Sequence, residues 1–308
     1  MGDVTYRRAS RVPSPVTDDP AAQAAFEASR PRIQAVAYRM LGQVSDAEDV
    51  VQEAWLRWSS EPRDDVRDPG AFLVTMASRL ALDRLRRIAT RREAYVGEWL
   101  PEPVDAAADP ATGVLVAESV SYGLLVVLET LSPLERVVYV LRKAFGHSHA
   151  EIAAMLDRSE EAVRQAASRA RAHVRERSSR FRPDQATARL AADRFLDAAS
   201  GGDLGPFLEL LAPDVELVAD SGGKVRAPRL PVYGAEKVTR FLEAIIQRGA
   251  PEAVTTAEVL NGSPAVVVRI AGSAVAAMLL DAGEGRIARV YLVANPDKLA
   301  RIGDVTSR

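Results

Sequence analysis

The chain has 308 residues, with 40 lysines and arginines against 42 aspartates and glutamates, a net charge of −2, and 47% apolar residues. That length and balance predict two or three compact domains and exclude collagen-like, low-complexity and wholly disordered chains. Cysteine is absent, which excludes disulfide scaffolds, thiolate zinc sites, iron–sulfur clusters and cysteine nucleophiles, and suits a reducing, cytoplasmic setting.

Residues 1–20 hold Pro13, Pro15 and Pro20 with little periodicity and read as a flexible tail. There is no apolar run of signal-peptide length, and no later stretch reaches about 18 uncharged apolar residues, so no membrane partner is expected. From Pro31, the positions Ile33, Val36, Ala37, Met40 and Leu41 follow helical spacing up to Gly42. Ser45 and Glu48 read as a capping box for a second helix, whose stripe is Ala47, Val50, Val51, Ala54, Trp55 and Trp58. Asp46, Glu48, Asp49 and Glu53 give that helix an acidic face. Asp68-Pro69 opens a third helix with Phe72, Leu73, Met76, Ala77 and Leu80 inward. It runs into six arginines, Arg79, Arg84, Arg86, Arg87, Arg91 and Arg92, opposed by Asp83 alone. An acidic face beside a basic one suggests a basic protein surface and nucleic acid as two partners, where a lone acidic helix start would only complement the dipole.

Residues 96–116, with Pro101, Pro103, Pro110 and Gly113, read as a linker after a first domain at 21–95. Three helix starts follow within a domain at 117–182: Ser132 with Glu135, Ser148 with Glu151, and Ser159 before Glu160 and Glu161. A short capped helix, a tight turn and a longer basic helix are the helix-turn-helix pattern. Residues 162–182 hold seven arginines against Glu176 alone. Val163, Ala166 or Ala167, and Ala170 can pack inward, which leaves Ser159, Arg164, Gln165, Ser168, Arg169 and Arg171 outward, a set suited to phosphates and base edges in a major groove. The plainer reading is a helix kept soluble by arginine.

Residues 183–308 change texture. Two helices, a strand pair, a helix near 234–248 and three further strands predict an α+β domain in which a curved sheet wraps helices. His147, His149 and His173 all precede it, so it has no histidine base. Asp220, Lys224, Arg226, Tyr233 and Asp281 remain as polar groups without a nucleophile and its paired base, so no enzyme, cofactor or metal is expected.

The segment Asp46-Ala47-Glu48-Asp49-Val50-Val51-Gln52-Glu53-Ala54-Trp55-Leu56-Arg57-Trp58 resembles the core-polymerase-binding segment of extracytoplasmic function sigma factors. Residues Leu131 to Arg177 resemble their −35-reading domain. The resemblance implies that Asp46, Glu48, Asp49, Gln52 and Glu53 grip core RNA polymerase, that Arg79 to Arg92 lie near the melted −10 element, and that the helix from Ser159 reads −35 promoter DNA. Three further motifs resemble the sigma J type, which carries a SnoaL-like domain of the ketosteroid-isomerase fold: Trp99-Leu100-Pro101-Glu102-Pro103, Asp220-Ser221-Gly222-Gly223-Lys224, and Asn295-Pro296-Asp297-Lys298-Leu299. The second usually reads Asp-Gly-Gly-Gly-Lys, so Ser221 departs from it. The fold class implied is two all-α sigma modules, the second a helix-turn-helix, followed by an α+β SnoaL-like cone domain. Folds of this kind often enclose a pocket, so a small ligand in the C-terminal domain is a further expected partner, and the resemblance implies a regulatory role for that domain. The Gly222-Gly223 turn and Lys224 are expected to dock on the linker, with Lys224 opposite Glu102 and the segment Asn295 to Leu299 nearby. The rival reading is a helix-turn-helix regulator fused to a small-molecule-binding or isomerase-like domain, which would bind duplex DNA without polymerase.

Overall fold

The structure, a computed structural model, describes residues 19–60, 66–92, 95–105, 121–178 and 184–303. The tail up to residue 18 and linker residues 106–116 lie outside the described residues. The first helix, α1 (Pro20–Leu41), starts well before Pro31 and carries that proline inside it. Asp19 caps it, accepting from the N–H groups of Ala21 and Ala22 at 3.0 and 3.3 Å. A proline mid-helix removes a backbone donor and crowds the preceding turn. Packing overrides that here: Phe26 is buried edge-on against Trp55 at 5.0 Å, and the Trp58 indole donates to the Ala22 carbonyl at 2.9 Å. Helix α2 (Val44–Ser60) begins one residue before Ser45, so the Ser45–Glu48 capping box does not form. Helix α3 (Pro69–Arg92) is capped by Asp68, which accepts from the Ala71 N–H at 3.0 Å. The three helices pack around Ile33, Val36, Val50, Leu73 and Ala77.

The second module has four described helices. Helix α4 (Tyr122–Glu129) precedes the three expected, with Ser121 as its cap. Helices α5 (Pro133–Lys143) and α6 (His149–Leu156) start with the two capping boxes read from the sequence, both complete. Asp157 turns the chain with φ 51°, and Ser159 accepts from Ala162 at 3.2 Å to start α7 (Glu160–Ser178). Val163, Ala166, Ala167 and Ala170 are all buried, so both alanines of the expected pair face inward. Their cluster is continuous with that of the first module, and α5 and α6 rest on α1 and α3.

The C-terminal domain begins with α8 (Gln185–Ala199) and the single turn α9 (Gly205–Leu208). Strands β1 (Leu211–Asp220) and β2 (Val232–Tyr233) precede α10 (Ala235–Gln247). Four strands follow rather than three: β3 (Val254–Leu260), β4 (Ser263–Ile270), β5 (Ser273–Gly283) and β6 (Arg286–Val293). The turn Asn261-Gly262, with φ of 50° and 68°, separates β3 from β4 as a two-residue hairpin, and the same form recurs at 271–272 and 284–285. The short helix α11 (Pro296–Leu299) ends the domain. The sheet order is β2-β1-β6-β5-β4-β3, antiparallel except for β1 beside β6.

Alternation along the strands gives this sheet two apolar faces. One is filled by Phe195, Phe207, Val238 and Leu242 from α8, α9 and α10. The other carries Val218, Val267, Leu279, Tyr291 and Val293, and its cover comes from elsewhere in the chain: Leu100 of the linker, Tyr122 of α4, and Leu299 and Ile302. That shared face joins the C-terminal domain to the helical modules. Among the described residues no helix is long and apolar enough to cross a membrane.

Candidate functional site

The acidic face of α2 is present and its carboxylates are paired. Asp46 and Asp49 both lie 2.6 Å from the Arg84 guanidinium, and Glu53 pairs with Arg57 one turn on at 2.5 Å. Gln52 is exposed beside them. Arg84, expected among the DNA-facing arginines, thus sits inside the acidic cluster, because α3 crosses α2 there. Glu48 accepts a two-pronged bond from Arg301, at 2.8 and 2.6 Å, so part of this face touches the C-terminal domain.

The remaining arginines of α3 divide. Arg79 reaches across to α6 and donates to the carbonyls of Met155 at 2.5 Å and Ala154 at 3.3 Å. A guanidinium at a helix C-terminus meets the negative end of the dipole. Arg86 pairs with Asp83 at 2.9 Å and Arg87 is exposed. Arg91 and Arg92 fall outside the residues whose side chains are described.

On α7 the expected outward set is outward: Ser159, Arg164, Gln165, Ser168, Arg169 and Arg171 are all exposed. Arg164 pairs with Glu160 at 2.6 Å, and Arg169 is held by Glu135 of α5 at 2.7 Å. Those carboxylates orient the guanidiniums without covering them.

The three motifs singled out in the linker and C-terminal domain converge on one buried carboxylate. Asp220, fully buried at the end of β1, accepts from the Tyr95 hydroxyl at 2.5 Å, the Leu100 N–H at 2.8 Å and the Gly222 N–H at 3.1 Å. It pairs with the buried Lys298 ammonium at 2.6 Å. Lys298 also donates to the Leu100 carbonyl and lies 3.3 Å above the Trp99 ring, a cation–π contact strengthened by the exclusion of water. Asn295 donates to the Tyr95 hydroxyl at 2.9 Å. Burial, then Asp220, push the Tyr95 phenol well above its ordinary range, so it stays a donor. Gly222 has φ 58°, and a Cβ there would sit 2.7 Å from the Asn295 amide nitrogen, so the close approach needs glycine. Ser221 has no positive φ, and its hydroxyl accepts from Gly223 at 3.3 Å, which explains why the departure from the related motif leaves the turn intact.

The expected pairing of Lys224 with Glu102 does not form. Lys224 pairs with Asp297 at 2.5 Å on the surface, since the turn faces α11. Glu102 instead points into the first module. Its carboxylate accepts from the Val44 N–H at 2.8 Å and caps α2, while its own N–H donates to the Gly42 carbonyl at 2.8 Å. The Tyr38 hydroxyl donates to the Glu102 carbonyl at 2.8 Å and accepts from the Asn261 amide at 2.7 Å. Asn261 in turn exchanges two bonds with Val104, at 2.8 and 2.9 Å. The described linker is therefore a docked strip between the first module and the sheet, not a loose tether. Sequence reading missed Tyr38, Tyr95, Asn261 and Arg301. Tyr38 looks like one more core residue and Asn261 like ordinary turn chemistry, and neither carries a local signal of a distant partner.

Comparison with known proteins agrees with this layout. The Sigma-70 region 2 family matches residues 25–92, and the Sigma-70 region 4 family matches residues 123–174. The ECF RNA polymerase sigma factor SigJ of Mycobacterium tuberculosis is 41% identical over 294 residues, covering 89% of this chain and 91% of that protein. A probable ECF sigma factor of the same species, SigI, is 32% identical over 280 residues, covering 90% and 94%. The crystal structure of M. tuberculosis SigJ superposes with a TM-score of 0.72 at 37% identity, covering 90% of this chain and 97% of that one. Two sigma modules in this order, joined by a docked linker to an α+β cone domain, and a relative alike along nearly the whole length, place the chain in the extracytoplasmic function RNA polymerase sigma factors of the SigJ type.

Proposed function

We propose that this sigma factor works by alternating between the closed arrangement described above and an open one engaged with polymerase and promoter. As a sigma factor it is an initiation factor rather than an enzyme, and it acts with core RNA polymerase on promoter DNA. In the proposed assignment, residues 21–95 form region 2, with Asp46, Glu48, Asp49, Gln52 and Glu53 toward the polymerase and Arg79, Arg86, Arg87, Arg91 and Arg92 near the −10 strand. Residues 117–182 form region 4, with α7 in the −35 major groove. Residues 183–308 regulate, and the linker at 96–116 carries the coupling. Acting with polymerase places the protein in the cytoplasm.

The observation that carries the regulatory reading is that groups assigned to the two binding faces already have intramolecular partners: Glu48 holds Arg301, and Arg79 holds the end of α6. Both contacts must break before those groups can serve polymerase or DNA. The test is transcription in vitro with core enzyme and a cognate promoter, alongside fluorescence transfer between labels on α2 and α7. Addition of core should separate the labels and permit initiation. Binding to duplex DNA alone, with no response to core, would favour the rival regulator.

A further inference from the structure

A cleft of about 560 Å³ opens between α4, the linker and the outer face of the sheet, within the size range of small-molecule sites. Trp99, Val126, Val218 and Tyr291 form its apolar walls, and Tyr233, 59% exposed, stands at its mouth. Its charge is unbalanced: four glutamates line it against two arginines. The two cations closest to its floor are held by carboxylates. Arg289 on the floor lies 3.1 Å from Glu216 and 3.8 Å from Asp281, and Lys298 behind Trp99 is neutralised by Asp220. Glu129 is matched by Arg136 at 2.7 Å, while Glu176 and Arg177 both lie at the rim. Glu98 and the second carboxylate beside Arg289 leave the surplus negative. That surplus is concentrated at the mouth: Glu216 and Glu98 both act on the Tyr233 phenol and hold its pKa above the ordinary value.

We propose that this interdomain cleft binds a small organic cation, an ammonium group on an aromatic or apolar body, with the ammonium between Tyr233, Glu98 and Glu216 and the body against Trp99 and Val126. Aromatic faces and carboxylates together attract ammonium ions and oppose anions. The walls come from the linker, region 4 and the sheet, so the cleft exists only in the closed arrangement, and an occupant stabilises that arrangement by mass action. The site lies on the opposite face of the sheet from the helix-filled interior, where a pocket would be sought by analogy of fold.

The test uses the full chain and no polymerase, so its failure leaves the initiation reading untouched. Benzyltrimethylammonium is titrated by calorimetry, with benzyl alcohol and phenylacetate as neutral and anionic controls. The expected result is saturable binding of the ammonium at least about ten-fold tighter than either control. Tyr233→Ala, at an exposed position, and Glu98→Gln, at a half-buried one that keeps the side chain's shape, should each weaken it by about five-fold or more, and hydrogen exchange at residues 95–105 should slow as the probe saturates. Absence of saturable binding, equal binding of phenylacetate, or binding indifferent to both substitutions and to exchange at 95–105 would overturn the proposal.

Discussion

Asp220 and Lys298 form a buried ion pair whose carboxylate also accepts from three neutral donors, and that sets what each substitution does. Lys298→Met would leave a fully buried carboxylate facing three neutral donors, and breaking such a pair costs about 3–5 kcal/mol. The expected outcome is a large drop in the denaturant midpoint of the C-terminal domain, together with loss of exchange protection at Leu100. The paired change Asp220→Leu with Lys298→Met should recover much of the stability, since two matched apolar side chains leave no orphan charge. Glu102 makes a prediction about pH. Burial raises its carboxyl pKa from the ordinary 4.5, opposed by the Val44 N–H and Arg301 and helped by Glu48. The closed form therefore takes up a proton more readily than the open form. Its contribution is full below the ordinary value and is lost as pH rises through the raised one, so closure should strengthen as pH falls toward the ordinary carboxylate value. Fluorescence transfer across the linker should track that change, and Glu102→Gln, which keeps an acceptor for Val44, should flatten it.

Helix α7 separates reading from holding. Arg164→Ala or Arg169→Ala should cost on the order of 1–3 kcal/mol and relax preference at particular −35 positions if the side chain reads a base. A phosphate contact would weaken all sequences alike and reduce the salt slope, which promoter titrations at several salt concentrations distinguish. Glu135→Ala removes the carboxylate holding Arg169 and leaves α7 itself intact, while opening the capping box of α5, and should shift the same positions less. The starts of α5 and α6 were legible because both halves of each cap lie within three residues, Ser132 with Glu135 and Ser148 with Glu151. The start of α2 was not, since its cap comes from Glu102, 58 positions away. Helix α4 was missed because Tyr-Gly-Leu-Leu-Val-Val-Leu-Glu is apolar on nearly every side and shows no helical period; it faces region 4 on one side and the sheet on the other. The turns at 271–272 and 284–285 lack the asparagine that marks Asn261-Gly262, which is why one strand too few was expected. The outward face of α7 and the meeting of the three motifs were legible because helical period and motif identity are local properties. The partner of each charge was not.

Across the whole molecule, regions 2 and 4 share one apolar cluster, and the C-terminal sheet is sealed onto them by Leu100, Tyr122 and the segment after Val293. Arg301 and Glu48 are each nearly half exposed, so their pair contributes about 0–1 kcal/mol. Arg301→Glu should accordingly tighten core polymerase binding by a few-fold at most, read by anisotropy of labelled protein, whereas Lys298→Met should tighten it more, because it loosens the whole hub. The two effects should add only in part, since both act on the same closure. The hub also joins residues made at very different moments: the Lys298 ammonium meets the Leu100 carbonyl 198 positions upstream. During synthesis, domains fold in the order in which they emerge, so both DNA-binding modules, with the Arg79 contact between them, are complete on the ribosome before the C-terminal contacts that lock them exist. A nascent chain halted short of Asn295, lacking the Lys298 and Arg301 contacts, should therefore capture core polymerase more readily than the finished protein, an interval of weaker restraint whose length the rate of elongation would set.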